Sequence, residues 1–204
     1  MGLILVDVSA AQKKLDYLAA KKSGIGGAYI NLGTGEDHVS PARVMHYEGF
    51  TSVDVPVGAY HVCTPIGDDA EKEGIIFRAR ARSLGTFTLR PALDIEHKCL
   101  TPDGLAQWCL EWRRMVYPTG RPLIYGNRSV IRHLGRASKV LLGWLFIHFD
   151  LWLAADTPTV PSPSPWDKCV LWQTPRRSLP WCNEDIDVNE APYGLEVLLC
   201  SKPQ

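Results

Sequence analysis

The amino-acid sequence predicts an α/β protein built as one (β/α) barrel, and three observations predict it. Short apolar runs alternate with stretches of helical period from one end of the chain to the other, the pattern of β/α units around a parallel sheet. The runs number eight, enough to close a barrel. Acidic or imidazole side chains stand at the ends of several runs, where strand C-termini of such a barrel converge and where its chemistry is done.

The expected strands are Leu3–Val8, Gly27–Leu32, Val57–Val62, Arg90–Ile95, Pro122–Tyr125, Leu151–Ala155, Cys169–Gln173 and Ile186–Val188. Between them, Ser9 can cap a helix carrying Leu15, Leu18 and Ala19 and stopped near Gly24, because a serine side chain can accept from the first free N–H groups. Asp68 and Asp69 open a second helix whose last turns hold Arg78, Arg80 and Arg82 before Gly85, a charge order that suits the helix dipole. Thr101-Pro102 starts a third, with Leu105, Trp108, Cys109, Trp112 and Val116 at helical spacing up to Pro118; Trp108 and Trp112 therefore read as core. Asn127 begins a fourth containing Val130, Ile131 and Leu134. The chain is near the lower size limit for this barrel, so some β/α units are expected to lack a full helix. The proline-rich stretch 158–165 reads as a stiff rim loop, because the residues after it are too few for an independent core.

With 204 residues, one domain spanning 1–204 is expected. Lys plus Arg equals Asp plus Glu at 22 each, so no strong overall field directs the chain to nucleic acid or an anionic membrane, and neither is expected as a partner. The segment Met1-Gly-Leu-Ile-Leu-Val-Asp7 has no basic region and reads as a strand, not an export signal. The most apolar stretch, Val140 to Phe149, is about half the ~20 residues that span a bilayer. A protein made in the cytoplasm without an export signal follows. Six scattered cysteines, with no C-x-x-C pair, read as free thiols.

The chemistry concentrates at Asp7, Asp94, Glu96 and Asp187, which barrel closure would bring to one mouth. Asp94 and Glu96 are two apart on one expected strand, hence on one side, with Cα atoms about 6.6 Å apart from a rise of ~3.3 Å per residue. Two carboxyls so close resist ionising together, and one proton is retained to higher pH. Glycosidic cleavage uses that combination: a protonated carboxyl for the leaving oxygen and an ionised one for the oxocarbenium. Glu96, with the longer side chain, is the expected general acid.

The ordered segments Asp7-Val-Ser9, Gly58-Ala-Tyr-His61, Ala92-Leu-Asp-Ile-Glu96, Ile124-Tyr125, Leu151-Trp-Leu-Ala154, Leu171-Trp-Gln173 and Asp187-Val-Asn189 resemble the signature of glycoside hydrolase family 25, the Chalaropsis-type lysozymes. The resemblance spans essentially the whole chain. It implies an irregular TIM-type barrel of eight strands with a reduced number of helices, and cleavage of the β-1,4 bond between N-acetylmuramic acid and N-acetylglucosamine of peptidoglycan with retention. Glu96 matches the family's general acid/base, Asp94 its partner carboxylate, and Asp7 and Asp187 the acids of the first and last strands. The resemblance leaves open whether an aspartate attacks the sugar or supports participation of the substrate's own acetamido group. No cofactor, metal or protein partner is expected, nor a separate cell-wall-binding module such as many relatives carry, and the chain is read as a monomer; the missing export signal, with the family analogy, gives the setting of a phage endolysin that reaches the wall after release.

Tyr60, Tyr125 and Trp172 stand at strand ends as candidates to stack on a sugar face, with Gln173 and His61 completing the candidate substrate-binding set; His61 is assigned an orienting or packing role and no proton transfer. His97 is expected to alternate away from the site, and Arg176-Arg177 to form a solvated loop face. Ala155-Asp-Thr-Pro158 and Arg176–Asn183 depart from the family's usual aromatic and glycine-rich segments, which bears on the outer sugar subsites. Two other function classes compete. One is a metal-dependent polysaccharide deacetylase or hydrolase using Asp7, Asp94, His61 and Asp187 around a divalent ion. The other is a catalytically silent wall-binding barrel, for which four crowded carboxylates are an electrostatic cost without a purpose.

Overall fold

A computed structural model describes residues 2–67 and 69–200; Met1 and the expected cap residue Asp68 lie outside the described residues. Nine strands run β1 (Leu3–Val8), β2 (Gly27–Thr34), β3 (His38–Val39), β4 (Val57–Val62), β5 (Ala92–Asp94), β6 (Leu123–Asn127), β7 (Asp150–Ala154), β8 (Cys169–Arg177) and β9 (Ile186–Ala191). They pair in the order β1-β9-β8-β7-β6-β5-β4-β2, and a β1–β2 pairing closes the ring into a barrel of eight. The short β3 only extends β2 as an antiparallel flap.

All eight expected strands are present, but the barrel is not wholly parallel. β9 runs antiparallel to both β8 and β1. The cause is chain length: only residues 178–185 separate β8 from β9, and a parallel crossover needs a dozen residues or more. Between β7 and β8 the proline-rich segment makes that crossover with no helix, so it runs from the mouth end of β7 back to the foot, where Trp166 Nε1 donates to Phe149 O at 3.2 Å, rather than staying at the rim as expected.

Six α-helices cover the outside: α1 (Tyr17–Lys22), α2 (Arg43–Thr51), α3 (Ala70–Leu84), α4 (Pro102–Val116), α5 (Arg128–Leu134) and α6 (Lys139–His148). Three of the expected caps hold. The Asp69 carboxylate accepts from Lys72 N at 3.0 Å, Thr101 Oγ1 from Gly104 N at 3.1 Å, and Asn127 Oδ1 from Ser129 N and Val130 N at 2.9 and 3.1 Å. Ser9 does not cap the first helix. Asp16 does, accepting from Ala19 N at 2.9 Å, and residues 9–16 form a loop pinned by Gln12, whose Oε1 accepts from Ser9 N at 3.0 Å and whose Nε2 donates to Asp185 O at 3.0 Å. Ser9 is thereby left at the barrel mouth.

The strands sort their side chains between two cores, because successive residues point to opposite faces. Leu5, Tyr29, Tyr60, Ala92, Leu123, Trp152 and Leu171 fill the barrel interior. Val6, Ile30, Leu93, Ile124, Leu153 and Trp172 face outward against the helices, where Phe77, Trp112 and Leu145 meet them. The foot of the barrel is shut by Leu89 and Leu198 and by Arg90, which donates to Asp150 Oδ2 and to the Val197 carbonyl. All six cysteines are free thiols.

Candidate active site

The pocket at the mouth is lined by Asp7, Ser9, Tyr60, Asp94, Glu96, Tyr125, Trp152, Gln173, Arg176 and Asp187. Asp7, near the end of β1, and Asp187, near the start of β9, lie directly across from one another in the antiparallel register. Asp187 reaches the mouth because β9 is reversed; on a parallel strand the same position would sit deep toward the foot. Asp94 closes β5, flanked in register by Val62 of β4 and Tyr125 of β6. Glu96 lies two residues beyond the end of β5, yet the pleat continues: Ile95 N still donates to Tyr125 O at 3.0 Å. Asp94 and Glu96 therefore line the same pocket, Asp94 buried and Glu96 exposed at the rim.

Two hydrogen-bond relays converge on Asp7 Oδ2. Trp152 Nε1 donates to Asn189 Oδ1 at 2.8 Å, and Asn189 Nδ2 donates to Asp7 at 2.8 Å. Tyr125 OH donates to Gln173 Oε1 at 2.7 Å, and Gln173 Nε2 donates to Asp7 at 3.1 Å. Each amide is oriented by an aromatic donor behind it, so its N–H is aimed at the carboxylate. Asp187 is held differently, by Arg176 Nε at 3.1 Å from both carboxylate oxygens.

Burial and neighbouring charge make Asp7 and Asp94 hold their protons. Asp7 is pushed up to about 7, first by burial and then by the Asp187 charge, against the pull of Asn189, Gln173 and Arg176. Asp94 is raised well above the ordinary carboxylate range, chiefly by burial and then by the charges of Glu96, Asp7 and Asp187. Among the described residues Arg176 is the one cation lining this pocket of four carboxyl groups, and it is bonded to Asp187. Asp94 Oδ1 is buried without a hydrogen-bond partner. A buried acceptor left open at the floor of a pocket is poised to take a donor from whatever enters it.

Not every expected substrate contact lies here. Tyr60, Tyr125 and Gln173 line the pocket. Trp172 and His61 do not: each neighbours an inward residue on its own strand and so faces outward. Trp172 packs under the helical layer, its Nε1 donating to Ala155 O at 2.8 Å. His61 is fully buried between β4 and α3, its Nε2 donating to Glu73 Oε2 at 2.6 Å, with the Trp112 ring stacked nearby. The metal-site constellation of Asp7, Asp94, His61 and Asp187 is therefore not assembled. His97 is exposed and absent from the pocket lining, as its neighbour Glu96 implied. Arg176 is no loop residue; it belongs to β8 and faces Asp187.

Sequence reasoning missed Trp152, Asn189 and Arg176. The signal for Trp152 was parity: Trp152 is level with Tyr125 on the neighbouring parallel strand, and residues so paired share a face. Beyond the acids the mouth continues as a shallow recess along Ala155, Asp156, Thr174, Pro175 and Arg176.

The sequence profile of glycosyl hydrolases family 25 matches residues 6–178. No curated protein is significantly similar in sequence. Among solved structures, a bacterial lysozyme from Streptomyces coelicolor superposes with a TM-score of 0.81 at 20% identity, over 97% of this chain and 95% of its own. A family 25 glycosyl hydrolase from Bacillus anthracis gives 0.76 at 20% identity over 94% and 89%. The catalytic domain of an endolysin from a Listeria monocytogenes bacteriophage gives 0.75 at 22% identity over 95% and 94%. At these identities the likeness is one of fold.

Proposed function

The chain belongs to glycosyl hydrolases family 25 and is a glycoside hydrolase, and from that premise we propose that it is a peptidoglycan-cleaving lysozyme. It cuts the β-1,4 bond between N-acetylmuramic acid and N-acetylglucosamine with retention. The observation that carries this reading is the gathering of Asp7, Asp94, Glu96 and Asp187 around one recess whose buried members resist ionisation.

Glycoside cleavage with retention needs a carboxyl that first gives a proton to the leaving oxygen and then takes one from water, and a second carboxyl beneath the sugar. Glu96 has the access for the first role, since it stands exposed at the rim, two residues past the strand that carries Asp94. Asp94 has the position for the second, and its unpartnered oxygen can accept from a hydroxyl or amide N–H of the bound sugar. In the reacting form the cluster's proton sits on Glu96 and Asp94 is ionised, and that negative charge under the ring stabilises the oxocarbenium, whether the oxygen that closes on the anomeric carbon belongs to a carboxylate or to the substrate's acetamido group. Asp7 and Asp187 keep the set short of full ionisation, so a proton stays within the cluster near neutral pH. Tyr60, Tyr125 and Trp152 wall the recess with aromatic surface suited to a sugar face. The enzyme works as a monomer and without a cofactor, in the setting of an endolysin acting on the bacterial wall.

Glu96→Gln tests the assignment. The amide keeps size and hydrogen bonding but cannot transfer the proton, and general acid catalysis is worth roughly 10²–10⁴-fold. The expected result is a loss of wall clearing by at least that factor in a protein whose circular dichroism and melting temperature match the parent. Full clearing by such a variant would remove Glu96 from the mechanism.

A further inference from the structure

Beside the acid pocket lies a second recess with the opposite charge. It is lined by Lys98, Arg128, Ser129, Arg132, His133 and Arg136, and no acid is among its lining residues. The four cations are exposed. Among the described residues none of them forms an ion pair, and the only hydrogen bond made by their charged groups runs from Lys98 Nζ to Ser129 Oγ at 2.7 Å. Unpaired, mutually repelling cations in one concavity are electrostatically costly unless an anion joins them.

The recess is built onto the mouth by chain connectivity. Lys98 follows Glu96 by two residues on the segment leaving β5, and Arg128 opens α5 directly after β6, the strand that supplies Tyr125 to the acid pocket. Arg128 and Arg132 are about one helical turn apart on α5, with Cα atoms about 6 Å apart along its axis, and Arg136 stands in the turn just past the helix, after Gly135. Four cations lining one recess suit a ligand that carries several anions more than a single carboxylate, and the planar fork of arginine matches phosphate oxygens two at a time. Such a polyanion is repelled by the four carboxyls next door, whereas an uncharged sugar backbone is not.

We propose that this recess binds a phosphodiester-linked polyol polymer of the kind borne on wall glycans, while the glycan itself occupies the acid pocket. The choice of polymer rests on the wall-cleaving reading above. The recess thus selects decorated glycan and holds the enzyme near its bond.

The test uses purified poly(glycerol phosphate) titrated into the full chain and into the double variant Arg132→Gln/Arg136→Gln, with matched melting temperatures confirming the fold. The parent is expected to bind the polymer, and the variant at least tenfold more weakly. The slope of log affinity against log salt should become shallower by about 1.4, because the variant neutralises two fewer phosphates at roughly 0.7 each. Both proteins should clear walls stripped of phosphate polymers by hydrogen fluoride at rates within twofold, and the variant should be slower only on intact walls. Equal affinity of parent and variant for the polymer overturns the proposal, as does tighter binding by the parent to duplex DNA or phosphatidylglycerol vesicles. A variant equally impaired on stripped and intact walls overturns it too, by pointing to anions of the peptide instead. Failure of the parent to cleave stripped walls would sink the wall-cleaving reading, and the direct titration is unaffected by that result.

Discussion

Asp7 is the residue on which the two amide relays meet, and its environment makes a stability prediction with a definite sign. Its carboxyl is raised from 3.8 to about 7 in the folded protein, mainly by burial. The folded state therefore binds its proton more tightly than the unfolded chain does, and the stability gained from that proton is fully present below pH 4 and lost as pH rises through 7. Asp7→Asn, which has no proton to lose, should flatten this slope: unfolding experiments should find its stability relative to the parent rising between pH 4 and 7, by about 1–3 kcal/mol at pH 8, while wall-clearing activity falls. A relative stability that does not change with pH would contradict the burial argument. Single residues also show what was legible in the sequence. Asp7, Asp94 and Glu96 could be found because they stand at or just past the ends of apolar runs, whereas Asp187 stands near the start of its strand and reaches the mouth only because β9 is reversed. The flanking residues were harder, since Tyr60 with His61, and Trp172 with Gln173, are adjacent on strands and cannot both face one pocket. Parity assigns Tyr60 and Gln173 to the mouth and turns His61 and Trp172 outward.

Elements with a local chemical start were legible, and those held by packing alone were not. α3, α4 and α5 announce themselves through Asp69, Thr101 and Asn127, each of which accepts backbone N–H groups. α2 has no side-chain cap, contains Gly49, and is seated by the burial of His46 and Phe50 against the barrel; nothing in its local sequence marks a helix. α6 is apolar nearly all round, so it shows no stripe of helical period to find. The direction of β9 was hidden for a different reason, since a strand's sequence does not state its polarity and only the eight-residue connection before it does. His61 joins two elements: it ties β4 to α3 through Glu73, which also accepts from Thr64 N at 3.1 Å and Thr64 Oγ1 at 2.9 Å. His61→Leu removes a donor from a fully buried carboxyl, and breaking such a pair costs about 3–5 kcal/mol. The melting temperature should drop markedly, and KM for solubilised glycan should stay within twofold in the protein that remains folded. A large rise in KM without loss of stability would return His61 to the substrate side.

Across the molecule, closure of the barrel does what no segment can do alone. It carries Asp7, Asp94 and Asp187 from residues spread over most of the chain to one rim, with Glu96 just beyond, and shuts the opposite end with the buried Arg90–Asp150 pair. Net neutrality conceals the outcome: the 22 acidic and 22 basic residues are distributed so that an acid pocket fills the mouth while a basic recess forms on the segments that leave β5 and β6. The barrel itself could be anticipated from eight apolar runs, but the charge map could not, because it depends on which loops closure makes neighbours. If the acid cluster cleaves the glycan on its muramic acid side, the new reducing ends belong to that sugar. Digesting purified wall, reducing the new ends with borohydride and identifying the labelled sugar decides the matter. Muramicitol is the expected product; glucosaminitol in its place would mean that a different bond is cut and that the acids do not act as described.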